Sequence, residues 1–326
     1  MKNIIKRVAP ILCCVAAVTW NTSSAQQSEY PSSAITWVVP YLPGTGPDSN
    51  ARIIANAMSD VLGQTIVIEN RAGAAGNIGA AAAKRARPDG YTWLYSSTAM
   101  ADNMRIYANP GFDVLNDFTH VGSMSQSDSV IIVRPDSTYD SFQTLIDELK
   151  KAKQPLTYAS GGVGTPSHLG AELVLAKTHT KALQIPYKGA SESLNAVIGR
   201  QVDFALVLAS VAIPQIRAEK IKPLAVLTKE RNPQIPEVPT VAELGVPDVD
   251  NASIGGISVP KGTPESTVST IKHALDVALG KPEVRKQLET TGVSISQLNG
   301  KEYSQRLKDQ TAWTEQMMAI TGLKPQ

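Results

Sequence analysis

Two stretches of this chain are built alike, and together they restrict the folds open to it. Each is a short β-branched strand, then a loop of glycine and proline, then a helix start. In the first, Ile35–Val39 enters Pro40-Tyr41-Leu42-Pro43-Gly44-Thr45-Gly46-Pro47-Asp48, and apolar residues at helical spacing (Ile54, Met58, Val61, Leu62) predict a helix over about 48–62. In the second, a strand at 156–160 enters Gly161-Gly162-Val163-Gly164-Thr165-Pro166-Ser167-His168, and a helix is expected over 166–177. Around the first lie strands at 65–69 and 91–95 and an alanine-rich helix at 77–87. Around the second lie strands at 130–133, 202–208 and 224–227 and helices at 141–152 and 190–198. Alternation of this kind predicts an α/β protein with mainly parallel sheets covered on both faces. Its restart in mid-chain predicts two lobes. Lobe 1 would comprise 26–125 and 252–326, lobe 2 would comprise 126–251, and the last part would add a strand at 256–259 and helices at 265–279 and 301–321.

The loops carry the chemistry. Glycines permit close backbone approach, and the first N–H groups of a helix have no partner within it. Such an end attracts anions through direct hydrogen bonds and the positive end of the helix dipole. The dipole contributes roughly 0.3–1 kcal/mol, and each hydrogen bond to a charged group about 1.5–3 kcal/mol. Either loop alone reads equally as a plain strand-to-helix turn, with Asp48 and Thr165 as N-caps and Pro47 and Pro166 in the first turn. One in each lobe favours binding, because sheets of this type take ligands beyond the C-terminal ends of their strands. The expected contacts are Tyr41, Pro43, Gly44, Thr45, Gly46 and Asp48 on the first loop, and Ser160, Gly161, Gly164, Thr165 and His168 on the second. Ser97 and Thr98 follow a strand at the same cleft edge, Tyr187 precedes a helix, Asp203 opens a strand that runs to Val207, and Gln126 lies beside the crossing between lobes. For Ser97 and Thr98 the plain rival is hydroxyls capping a turn, and for Asp203 a cap or an ion pair within the lobe; Gln126 is named on position alone.

The 326 residues suit two domains. At the N-terminus, Lys2, Lys6 and Arg7 precede an apolar run at 8–18, and Ser23-Ser24-Ala25 offers a small-residue cleavage site, the pattern of a secretory signal cut near Ala25. Its loss lowers the formal charge from +2 to −1 and removes both cysteines, Cys13 and Cys14, so neither a nucleic-acid footprint nor a thiol site is expected. The four histidines form no HExxH, residues 161–165 lack the lysine of a P-loop, and Gly189-Ala190-Ser191-Glu192-Ser193 lacks the last glycine of a nucleophile elbow. A non-catalytic chain without metal or cofactor is the expectation.

At this point the residues match a known group. The chain resembles the Bug family of periplasmic solute receptors of tripartite tricarboxylate transporters. The resemblance rests on Val39-Pro40-Tyr41 with Pro43-Gly44 and Asp48, on Val67-Ile68-Glu69-Asn70-Arg71-Ala72-Gly73, on Gly76-Asn77-Ile78-Gly79, on Pro88-Asp89-Gly90-Tyr91-Thr92, on 161–169 and on Pro186-Tyr187-Lys188-Gly189. It implies a type II periplasmic-binding-protein-like fold, lobes that close on one carboxylate from two sides, a membrane permease as partner, and no cofactor; a monomer is expected. Presentation of ligand to a membrane histidine kinase, or an envelope enzyme acting on carboxylates, are the rival roles. Two departures stand out. Thr45 and Pro47 replace a glycine and a hydroxyl residue of the usual first loop. Val207 stands where a second acid often follows Asp203, which argues for a carboxylate with an apolar body, such as an aromatic mono- or dicarboxylate, over an amino acid.

Overall fold

The computed structural model describes residues 30–163 and 165–325; the expected signal segment and its cleavage site, and Gly164, lie outside the described residues. Lobe 1 begins with β1 (Ile35–Val39), α1 (Gly46–Leu62), β2 (Ile66–Asn70), α2 (Asn77–Lys84), β3 (Thr92–Ser97) and α3 (Thr98–Ile106). The long β4 (Phe118–Val133) carries the chain into lobe 2, which comprises α4 (Phe142–Lys151), β5 (Thr157–Ser160), α5 (Pro166–Lys177), β6 (Leu183–Pro186), α6 (Ala190–Ile198), β7 (Phe204–Leu208), α7 (Ala209–Arg217) and β8 (Lys222–Val226). The return runs through β9 (Ala252–Pro260), α8 (Glu265–Gly280), α9 (Pro282–Thr290), β10 (Ser294–Ile295) and α10 (Gly300–Thr321).

The strands form one hydrogen-bonded path, β2-β1-β3-β9-β4-β7-β5-β6, with β8 and β10 also on β4. The outer strands are parallel, β1 with β2 and β3, and β5 with β6 and β7. The two central strands are antiparallel, because each takes the chain straight from one lobe to the other instead of returning over a helix. β4 pairs with β9 as far as Asp128↔Ala252 and with β7 from Ser129↔Leu208. β4 therefore changes partner between Asp128 and Ser129, opposite the start of β9 at Ala252.

Both faces of each half are buried, as the β-branched runs require. On β1, Ile35, Trp37 and Val39 face a core with α1, α8 and α9, while Val38 faces another with Ala80, Met100 and Tyr303. Trp37 and Trp93 meet edge to face with ring centroids 5.8 Å apart. In lobe 2, Ile131 and Val133 of β4 face α4 and α5, and Val130 and Ile132 face α6 and α7.

Several expectations need correction. The C-terminal helix is not confined to lobe 1. Tyr303 and Leu307 sit in a lobe 1 core, but Met317 and Met318 sit in the lobe 2 core with Leu169 and Leu173, so α10 bridges the halves. α3, α7, α9, β6 and β10 had no counterpart in the sequence reading. The helix expected from Asp48 starts at Gly46 with Thr45 as N-cap, so Asp48 lies inside the first turn. Among the described residues, no helix is long and apolar enough to cross a membrane.

Candidate ligand-binding site

The first loop is held by one buried carboxylate. Asp48 accepts from the Gly44 amide at 2.8 Å, from Nε of Arg52 at 3.1 Å and from Nδ2 of Asn70 at 2.9 Å. Asn70 Nδ2 also donates to the Tyr41 carbonyl at 3.0 Å, so the end of β2 is tied to both sides of the loop. Burial opposes ionisation of Asp48, but the bonds from Arg52, Gly44 and Asn70 together outweigh it and hold its pKa below the usual carboxylate value. Behind the loop, α2 approaches β1 at Gly79, where a Cβ would fall 2.7 Å from Pro40 Cβ and 2.8 Å from the Arg71 carbonyl. The motifs at 67–73 and 76–79 thus shape the first loop without entering it.

The second loop repeats the construction. Thr165 is the N-cap of α5 and Pro166 opens the helix. Its hydroxyl donates to the Gly162 carbonyl at 2.7 Å, as that of Thr45 donates to the Leu42 carbonyl at 2.8 Å. Neither threonine side chain caps its helix. The loop amide of Gly161 donates to Ser167 Oγ at 2.9 Å, as that of Gly44 donates to Asp48. The loop amides of Gly44, Thr45, Gly161, Gly162 and Thr165 are thus engaged by the protein itself, whereas those of Gly46 and Asp48 on α1 and Ser167 on α5 precede the first i→i−4 bonds of their helices and can serve an anion. Ser160 Oγ accepts from Gln184 Nε2 at 2.7 Å. The Pro166 carbonyl accepts from Asn251 Nδ2 at 2.7 Å, which fixes the start of α5 to the return crossing. His168 is buried in that first turn, and burial lowers its pKa, so it is neutral at pH 7.

The end of β7, which runs beside β5, meets the first loop. β7 passes directly into α7, whose Ser210 reaches that loop: a Cβ on Gly46 would stand 3.7 Å from Ser210 Oγ. Tyr41 adds its hydroxyl, 2.9 Å from Ser97 Oγ, and burial raises its pKa. Pro43 and Gly44 are exposed on the rim. Leu42 and Val163, one on each loop, are 65% and 42% exposed.

Other predicted contacts sit elsewhere. Asp203 precedes β7 and accepts from the amide and hydroxyl of Thr157 at 2.7 and 2.9 Å; it ties the starts of β5 and β7, the end away from the first loop, so it is a strand staple. Val207 is fully buried, paired with Val130 in the lobe 2 core, and forms no wall of the cleft. Thr98 is buried and accepts from the Ile254 amide at 3.2 Å. Tyr187 points its hydroxyl at Gln201 Oε1, 3.2 Å away, on an open groove beside α6. Gln126 donates to Asp128 Oδ1 at 3.0 Å next to the crossing. Ser210, Ser167, Asn70 and Asn251 were not anticipated. The helix of Ser210 carries Pro214, which hid it, and the two asparagines act from remote positions that only the sheet order brings near. Among the described residues, no three of His, Cys, Asp and Glu gather as a metal site.

The comparisons with known proteins agree with this architecture. Residues 50–323 match the model of the TctC family, described as the tripartite tricarboxylate transporter family receptor. The chain is 33% identical over 297 residues to the "UPF0065 protein in tcbD-tcbE intergenic region" of Pseudomonas sp. (strain P51), covering 91% of this chain and 88% of that one. Among solved structures, the periplasmic binding protein BugD matches with a TM-score of 0.79 at 30% identity, covering 91% of this chain and 100% of BugD. Rpa4515 of R. palustris, solved with adipate, matches at 0.83 and 28% identity, covering 91% and 100%. MatC of Rhodopseudomonas palustris, solved with bound malate, matches at 0.78 and 26% identity, covering 88% and 99%. With a family match across most of its length and its two-lobed fold, the chain belongs to the TctC receptor family of periplasmic solute-binding proteins.

Proposed function

We propose that the protein captures a small dicarboxylate in the periplasm and passes it to a membrane permease of the tripartite tricarboxylate type, without catalysing its conversion. The observation that carries this reading is the pair of uncapped helix starts, α1 in lobe 1 and α5 in lobe 2, each behind a loop braced by its own side chains. A bound anion draws its energy from first-turn amides and helix dipoles, without a cationic side chain. A ligand that touches both lobes stabilises the closed state by its differential affinity for it.

The preference for an apolar body cannot rest on Val207, which is in the core. It rests instead on Leu42 and Val163, which expose apolar surface on both loops. Dicarboxylates in two structural relatives, adipate and malate, are consistent with the class. A leader cut near Ala25 would place the protein in the periplasm, and the family match supports a permease as recipient. Titration calorimetry with adipate, malate, an aromatic dicarboxylate, aspartate and glutamate tests the reading. Tightest binding of adipate or the aromatic acid is expected. Tight binding of aspartate or glutamate with none of the apolar-bodied acids, or no binding of any, would overturn it.

A further inference from the structure

A second contact between the halves lies beside the approach of the first loop to α7. The turn between α9 and β10, Thr291-Gly292-Val293, belongs to lobe 1, where Leu288 and Val293 are part of the core. It sits directly on the start of α7 in lobe 2. A Cβ on Gly292 would fall 2.6 Å from Ser210 Cα and 2.9 Å from the Ala209 carbonyl oxygen. Both are backbone atoms, which cannot swing aside as a flexible side chain would.

The surroundings of that turn reach both lobes and both sides of the cleft. Thr291 Oγ1 donates to Asn50 Oδ1 at 2.8 Å, which ties the turn to α1, the helix that begins at the first loop. Gln234 Nε2 of lobe 2 donates to the Val293 carbonyl at 3.1 Å, and Gln234 in turn accepts from Arg217 at the end of α7 at 3.2 Å. The Ser210 amide donates to Ser127 Oγ on β4 at 3.2 Å, so the start of α7 is also attached to the crossing strand. The approach of Gly46 to Ser210 lies beside this contact.

We propose that Gly292 is a positioning residue that sets how far the lobes close: its missing side chain lets the 291–293 turn seat on the start of α7 and brings the first loop up to Ser210. The proposal depends on lobe closure and not on the identity of the ligand. Only its consequence for affinity rests on the carboxylate reading.

Closure can be read by cross-linking. Gly46 and Ser210 have Cβ positions 3.9 Å apart, within the roughly 3.5–4.5 Å that a disulfide spans. In the full chain with Cys13 and Cys14 replaced by serine, Gly46→Cys with Ser210→Cys should form a disulfide under mild oxidant, the two thiols losing two electrons and two protons to it. Added Gly292→Ala should slow that reaction at least tenfold. Gly63→Ala is the control: its φ of +63° resembles the +76° of Gly292, but nothing lies within 4 Å of its Cβ. It should leave the rate unchanged, which separates backbone strain from the blocked contact. Gln234→Ala, which removes the bond to Val293 without adding bulk, should slow cross-linking several-fold and decides the matter if Gly292→Ala does not fold. Without the cysteine pair, Gly292→Ala should weaken adipate binding about tenfold. An unchanged cross-linking rate in folded Gly292→Ala, an unchanged rate in Gln234→Ala, or no cross-link in the parent pair overturns the proposal. Absence of adipate binding in every variant, with the predicted order of rates intact, instead removes the ligand assignment and leaves the contact standing.

Discussion

Asp48 shows how a side chain can brace a loop. Its carboxylate joins Gly44, Arg52 and Asn70, and its position within the first turn of α1 puts the negative charge where the helix dipole favours it. Asp48→Asn should cost about 1–3 kcal/mol in urea unfolding, mainly through the bonds of the buried carboxylate, since Arg52 is half exposed and its ion pair is screened. Adipate affinity should fall with it, because Gly44 loses its anchor. Two other buried groups make a pH prediction. Asp102 on α3 accepts from Gln310 at 2.8 Å and Thr314 at 2.5 Å on α10, and its Oδ2 has no partner among the described residues. Burial pushes its pKa up to about 6, against the weaker pull of those bonds and of Arg306. A raised carboxyl pKa means that the folded state holds the proton longer, so its stabilisation is present below pH 4 and is lost as pH rises toward 6, by roughly 3 kcal/mol. His120 is the reverse. Burial, then Lys261, lowers its pKa to about 4, so stability falls as pH drops from 6.5 toward 4. The two slopes oppose each other between pH 4 and 6. Asp102→Asn should therefore make stability rise with pH across that window, and His120→Gln should make it fall; parallel pH profiles for the two variants would refute the assignment. Sequence alone showed neither group, because nothing in the spacing of Asp102 or His120 reveals that α10 or β9 covers it.

At the scale of elements, legibility followed local signals. α5 and α6 were readable to the residue because Pro166 opens one and Gly189 and Gly199 bracket the other. α7 was not, since Pro214 sits inside it and breaks the helical reading; a proline there also leaves the Ser210 carbonyl without its intrahelical donor. β4 was legible only at 130–133, where both faces are apolar. Its earlier part, Ser123-Met124-Ser125-Gln126-Ser127, looks like a loop and is held as strand by β9 and β10. The glycines on the second loop suggested backbone approach to a ligand, yet the tightest glycine of that helix is Gly170, where a Cβ would fall 1.8 Å from Asn251 Nδ2. Gly170→Ala should displace Asn251 from the Pro166 carbonyl and cost about 1–3 kcal/mol. It should also weaken adipate binding, because the start of α5 would no longer be fixed to the crossing. A fully stable Gly170→Ala with unaltered affinity would mean that Asn251 does not position the second loop.

For the whole molecule, the two-lobed plan followed from a strand–loop–helix unit met twice, and the lobes were legible because each half repeats it. The connections were not. Antiparallel β4 and β9 and the bridging α10 depend on contacts between residues more than a hundred positions apart, which no local pattern encodes. α10 lies on both cores, and the turn at 291–293 rests on α7, so the halves are joined at several places and not by two strands alone. On the proposed reading, the pair of helix starts holds the ligand. Crystals grown with adipate test this most directly. The account predicts one carboxylate within hydrogen-bond distance of the first-turn amides of α1 and of α5 together. A carboxylate bound to arginine or lysine side chains, or touching one lobe only, would contradict it.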